Sequence, residues 1–85
     1  MRITLVYFAW IRERIGRDQE ILDLPVAQLT VRELIAHLRG RDENYAHAFQ
    51  HENAVHAAIN QEHAELSECI RDGDEVALFP PMTGG

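Results

Sequence analysis

Eighty-five residues with a formal charge of −6, from 14 acidic and 8 basic side chains, make one domain with one small core and exclude general electrostatic attraction to nucleic acid. All eight bases are arginine, lysine is absent, and the single cysteine, Cys69, has no partner for an internal disulfide and no CxxC companion for zinc. No apolar run is long enough to span a bilayer, and Met1-Arg2-Ile3-Thr4 enters a strand pattern without a signal-peptide core, so a cytoplasmic protein with no membrane attachment is expected.

Ile3 to Ala9 is a β-branched and aromatic run of strand length, with Ile3, Leu5 and Tyr7 on one face and Thr4, Val6 and Phe8 on the other. Trp10 to Gly16 carries Arg12, Glu13 and Arg14 and ends at glycine, which predicts a loop or a single helical turn. A second strand is expected from about Gln19 to Leu24, stopped by Pro25 and paired with the first. Thr30-Val31-Arg32-Glu33 has capping-box spacing, and Val31, Leu34, Ile35 and Leu38 follow as one apolar stripe, so a helix runs to about Arg39, with Gly40 as its C′ residue.

A shorter helix is expected from Glu43 to Gln50, with Tyr45, Ala46 and Phe49 on its buried side. Val55 to Asn60 alternates as a third strand turning at Asn60-Gln61, and Leu66 and Ile70 plug the core from a connecting segment. Asp72-Gly73-Asp74 is a turn signal before the last strand, Glu75 to Phe79, with Val76 and Leu78 inward. Strand, strand, helix, strand, strand in so short a chain is an α+β sheet with helix packed on one face.

Parity then locates a candidate contact surface. If Val76 and Leu78 face the helix, Ala77 and Phe79 face away from it, as do Val6 and Phe8 on the first strand, and an apolar cluster on the uncovered face suggests a docking site. Five histidines invite a metal reading, but only His47 and His51 have i, i+4 spacing, and no further ligand completes a motif. Cys69 has no base or oxyanion donor to make it a nucleophile, and no phosphate loop, serine elbow or carboxylate pair is present, so the chain has no complete enzyme apparatus of its own.

The domain, residues 1–79, is followed by a tail, residues 80–85, of Pro80-Pro81-Met82-Thr83-Gly84-Gly85. Two prolines favour an extended thread, and the two glycines leave a slim tip that fits a partner's active site. The absence of lysine has two readings. One is a compositional preference for arginine; the other is chemical, since a chain bearing an activated C-terminal acyl group benefits from having no ε-amine to capture it.

Tyr7-Phe8-Ala9 with Arg12-Glu13, then Ala57 to Gln61, and above all Asp72 to Gly85, resemble the small-subunit family of molybdopterin synthase from end to end; the stretch from Gln28 to Glu52 does so in pattern only, and Met82 stands where a small aliphatic residue is usual. The resemblance implies a ubiquitin-like β-grasp fold, a mixed sheet packed on one main helix with a flexible Gly-Gly tail. It implies a sulfur carrier that binds no permanent cofactor. Gly85 passes through a transient AMP ester and a thiocarboxylate, and donates sulfur to cyclic pyranopterin monophosphate. The implied partners are a large subunit, in a heterotetramer, an ATP-dependent adenylating enzyme and a sulfur donor, with Phe8, Arg12, Phe79, Pro80, Pro81, Met82, Thr83 and Gly84 as docking residues. Related carriers for thiamine synthesis or tRNA thiolation, and ubiquitin-like modifiers, share the fold and the ending; the Phe79-Pro80-Pro81 junction favours the molybdopterin family.

Overall fold

The computed structural model describes residues 1–81. Its first strand, β1 (Arg2–Tyr7), alternates as its sequence does, with Ile3, Leu5 and Tyr7 all buried. Where a loop or single turn is expected, the chain forms a helix, α1 (Ala9–Ile15). Ile11 and Ile15 stand four residues apart and are both buried, so Arg12, Glu13 and Arg14 form only its outer side. Gly16 ends it at φ 89°, a left-handed cap whose N–H donates to the Arg12 carbonyl.

The second strand, β2 (Gln19–Asp23), pairs antiparallel with β1 from Arg2↔Asp23 to Val6↔Gln19. A three-residue strand that sequence pattern did not reveal, β3 (Gln28–Thr30), leads into the main helix, α2 (Val31–Arg39). The capping box is present at both of its bonds: Glu33 N–H donates to Thr30 Oγ1 at 3.1 Å and Thr30 N–H donates to Glu33 Oε1 at 2.8 Å. Val31, Leu34, Ile35 and Leu38 are all buried, each contributing roughly 1.5 to 3 kcal/mol. Gly40 is not the expected left-handed C′ residue. Its φ of −83° keeps it right-handed, and the chain continues directly into the Asp42 cap of the next helix.

That helix, α3 (Glu43–Ala48), is shorter than expected and buries Ala48 rather than Ala46. Tyr45, Ala48 and Phe49 lie at i, i+3 and i+4, which share a face, whereas i+1 points aside. After a 3-10 turn at Glu52–Ala54 come β4 (His56–Ile59), β5 (Glu62–Ala64), β6 (Cys69–Arg71) and β7 (Glu75–Phe79). Ile70 fills the core as anticipated, from β6, while Leu66 is only partly buried.

Five strands form one sheet in the order β2-β1-β7-β4-β5, and β3 and β6 form a second, two-stranded sheet. The central pair, β1 and β7, is parallel, and the other pairings are antiparallel. This is the β-grasp arrangement, with two ends of the chain joined at the middle of the sheet and helix on one side. The core lies between α2 and the inward side chains of β1 and β7, Ile3, Leu5, Tyr7, Val76 and Leu78. Among the described residues no helix is long and apolar enough to cross a membrane.

Candidate functional site

The parallel pairing of β1 with β7 decides what the uncovered sheet face presents. Val6 stands beside Ala77, and one step further the Phe8 N–H donates to the Leu78 carbonyl at 3.2 Å. The chain must then leave the sheet sharply. Phe8 is extended, at φ −130° and ψ 156°, and Ala9 takes φ 52°, a left-handed conformation that costs an alanine free energy. The turn leaves the Phe8 ring projecting outward, 46% exposed.

Phe79 is held from its other side. His56 on β4 is its register partner, with the two rings 6.0 Å apart, and the Phe79 side chain is half-buried. Between Phe8 and Phe79 lies an apolar groove of about 530 Å³, walled by Ala9, Ala77, Pro80 and Pro81, with Gln61 and Glu75 at its polar margin. The groove therefore sits where the chain departs from the fold. Pro80 and Pro81 form part of its wall, while Met82, Thr83, Gly84 and Gly85 lie outside the described residues.

Arg12 is exposed on α1, one helical turn beyond Phe8, to whose carbonyl its N–H donates at 3.3 Å, and it does not line the groove. Pattern reading missed Ala9, Gln61 and Glu75. Gln61 follows Asn60 in a turn where both have positive φ, 51° and 71°, as two-residue hairpins require. Asn60 also ties this turn to the start of β7: its Nδ2 donates to Asp74 Oδ1 at 3.0 Å and its Oδ1 accepts from the Glu75 N–H at 3.0 Å. The Asn60-Gln61 and Asp72-Gly73-Asp74 motifs thus have a joint structural task, fixing β7 and with it the groove wall.

On the covered face, the Glu20 carboxylate is 7% exposed and receives the hydroxyls of Tyr7, at 2.7 Å, and Tyr45, with Arg41 Nη1 at 2.8 Å. Burial pushes the Glu20 carboxyl up, but the bonds from Tyr45, Arg41 and Tyr7 outweigh it and hold it below its ordinary range. Burial and the bond to Glu20 push the Tyr7 hydroxyl far above its usual value. The cluster joins β1, β2 and α3 and has no access to the groove.

His47 and His51 do not share a helical face, because α3 ends at Ala48 and His51 caps the following 3-10 turn. Among the described residues no three His, Cys, Asp or Glu side chains converge as metal ligands. Cys69 is partly exposed on β6 and lines a separate polar cavity with His63, Asn60 and Arg71.

The sequence matches the ThiS family over residues 5–85. It is 36% identical to the molybdopterin synthase sulfur carrier subunit of Escherichia coli over 85 residues, an alignment that covers 98% of this chain and 99% of that protein. Among solved structures it is similar to the putative molybdopterin converting factor subunit 1 of Pyrococcus furiosus, with TM-score 0.76 and 30% identity over 96% of this chain and 99% of that one. It is equally similar in shape to SAMP1 of Haloferax volcanii, with TM-score 0.76 and 26% identity over the whole of both chains.

Proposed function

Because the chain belongs to the ThiS family, we propose that it is the sulfur carrier subunit of a molybdopterin synthase, working in the cytoplasm within a heterotetramer of small and large subunits. The observation that carries this reading is the groove between Phe8 and Phe79 at the root of the tail, in a chain aligned over its length with a named carrier. An apolar groove beside a thin tail lets one docking event do two things. It buries two aromatic rings and it aims the tail into the partner.

The chemistry belongs to Gly85. An α-carboxylate has a reference pKa of ~3.3 to 3.7, so it is ionised at neutral pH and a poor acyl electrophile. An adenylating enzyme joins it to the AMP portion of ATP, releasing pyrophosphate and supplying a good leaving group. A sulfur donor then displaces AMP to leave a terminal C(=O)S⁻. Two such carriers in turn deliver sulfur to cyclic pyranopterin monophosphate in the large subunit, building the dithiolene. Phe8, Phe79, Pro80 and Pro81 dock, Arg12 contributes from the rim, and Met82, Thr83 and Gly84 thread the channel.

The test is intact mass after incubation with the adenylating enzyme, ATP and a sulfur donor, followed by mixing with large subunit and cyclic pyranopterin monophosphate. The expected results are a gain equal to the difference between sulfur and oxygen, and then dithiolene product. An unchanged mass with an active adenylating enzyme would refute the reading.

A further inference from the structure

The surface around the tail carries cations but no side-chain amines. All eight basic side chains are arginine. Six have visible work: Arg2 forks onto both oxygens of Asp23, Arg17 and Arg41 reach Glu20, Arg32 pairs with Glu52, Arg39 bonds the Phe49 carbonyl, and Arg14 lies over the Trp10 ring at 4.5 Å. Arg12 and Arg71 make no ion pair or ring contact among the described residues, so lysine would supply the same charge there.

The one primary amine is that of Met1, and the fold withholds it. Its ammonium donates to the carbonyls of Leu24 and Val26. Because β1 and β7 run parallel and Phe79 is level with Phe8, Met1 also lies at the opposite end of the sheet, seven residues or about 23 Å away along a strand of ~3.3 Å per residue. A chain of six residues spans about 20 Å at most, so Met1 is beyond its reach. Arg12 is one helical turn from Phe8, well inside that reach.

We propose that the surface within six residues' covalent reach of Phe79 is kept free of reactive amines so that the activated acyl carbon of Gly85 is not captured by its own chain. The inference rests on the reading of Gly85 as an acyl carrier. In the excluded reaction a neutral amine nitrogen attacks the acyl carbon, the bond to AMP breaks, AMP departs, the amine proton passes to water, and an amide remains. That amide ends the carrier's cycle. Arginine cannot take part, since a guanidinium stays protonated and offers no lone pair. Capture by the Cys69 thiol would give a thioester, which a sulfur nucleophile can reopen.

The experiment uses the full chain carrying a chemically installed Gly85 thioester of mercaptoethanesulfonate, held at mildly alkaline pH and followed by intact mass. Wild type should convert to the free acid. Arg12→Lys, whose new amine is tethered at roughly millimolar effective concentration, should instead give a species lighter than the acid by one water, about tenfold or more above wild type. Arg71→Lys, placed before the turn that starts β7 at the far end of the sheet, should follow wild type. The proposal is overturned if Arg12→Lys hydrolyses as wild type does, if wild type itself cyclises through Met1 at a similar rate, or if the two lysine variants behave alike. No activating enzyme or large subunit is involved, so a failure of sulfur delivery would count against the function and leave this result standing.

Discussion

The Phe8 N–H donates to the Leu78 carbonyl at 3.2 Å, extending the parallel β1–β7 contact beyond its last register pair, Tyr7↔Leu78. That bond is why residues 71 positions apart in sequence share one groove. It also couples Pro80 and Pro81 to the first strand, so the two walls of the groove are one structural unit.

Removing the Phe79 ring should therefore weaken docking more than folding. Phe79 is half-buried and its inward neighbours Val76 and Leu78 carry the core contact. Losing the burial of one such ring on association is worth roughly 1.5 to 3 kcal/mol, a tenfold to hundredfold weaker Kd for the large subunit. Calorimetric titration of Phe79→Ala, with a melting curve beside it, checks this; normal affinity with a large drop in Tm would make Phe79 a core residue.

Leu34 is 0% exposed on the face of α2 that covers the sheet. Leu34→Ala should cost about 2 to 5 kcal/mol, a large part of the ~4 to 13 kcal/mol expected for a domain of this size. Denaturant titration measures it, and an unchanged midpoint would show that the helix face is misassigned.

Long periodic segments were legible because their chemistry repeats: the α2 stripe with its capping box, and the β1 and β7 alternation. The three-residue strands β3, β5 and β6 were not, since three residues show no period and their pairing is set by partners 40 residues away or across a turn. Helix α1 was hidden because its three charges dominate a short window, although Ile11 and Ile15 hold its i, i+4 signal. At the site, parity gave Phe8, Val6, Ala77 and Phe79 together. Glu75 shares the parity of Ala77 and Phe79 on β7, whereas Gln61 joins them through the Asn60 clamp, a contact across the fold that no local pattern encodes.

Stability should fall at both pH extremes through the Glu20 cluster. The Glu20 carboxyl is held below 4.5 in the fold, so its contribution is present above that value and is lost as pH drops through the folded pKa. Tyr7 and Tyr45 are raised above 10.0, so their contribution is complete below pH 10 and fades as pH climbs towards their folded values. Glu20→Gln should cost about 1 to 3 kcal/mol at neutral pH and flatten the acid limb. Melting temperature across pH 3 to 11 reads both limbs, and an acid limb unchanged in Glu20→Gln would assign it to other carboxylates.

The length of the tail sets the last expectation. Six residues, 80–85, can span at most about 20 Å at ~3.3 to 3.6 Å per residue, and each residue removed shortens that span by one such step. On the proposed function, the acyl carbon must arrive at a fixed point inside the partner while Phe8 and Phe79 remain docked. Prolines at 80 and 81 limit the conformations lost on insertion, whereas slack added beyond Gly85 displaces the reacting carbon. Deleting Gly85, or adding one residue after it, should leave melting temperature and large-subunit affinity within about twofold of wild type while sulfur transfer is lost, because positioning errors of an ångström already cost about a hundredfold in rate. Single-turnover product formation with saturating large subunit separates binding from transfer, and undiminished turnover by the deleted chain would refute the carrier role of Gly85.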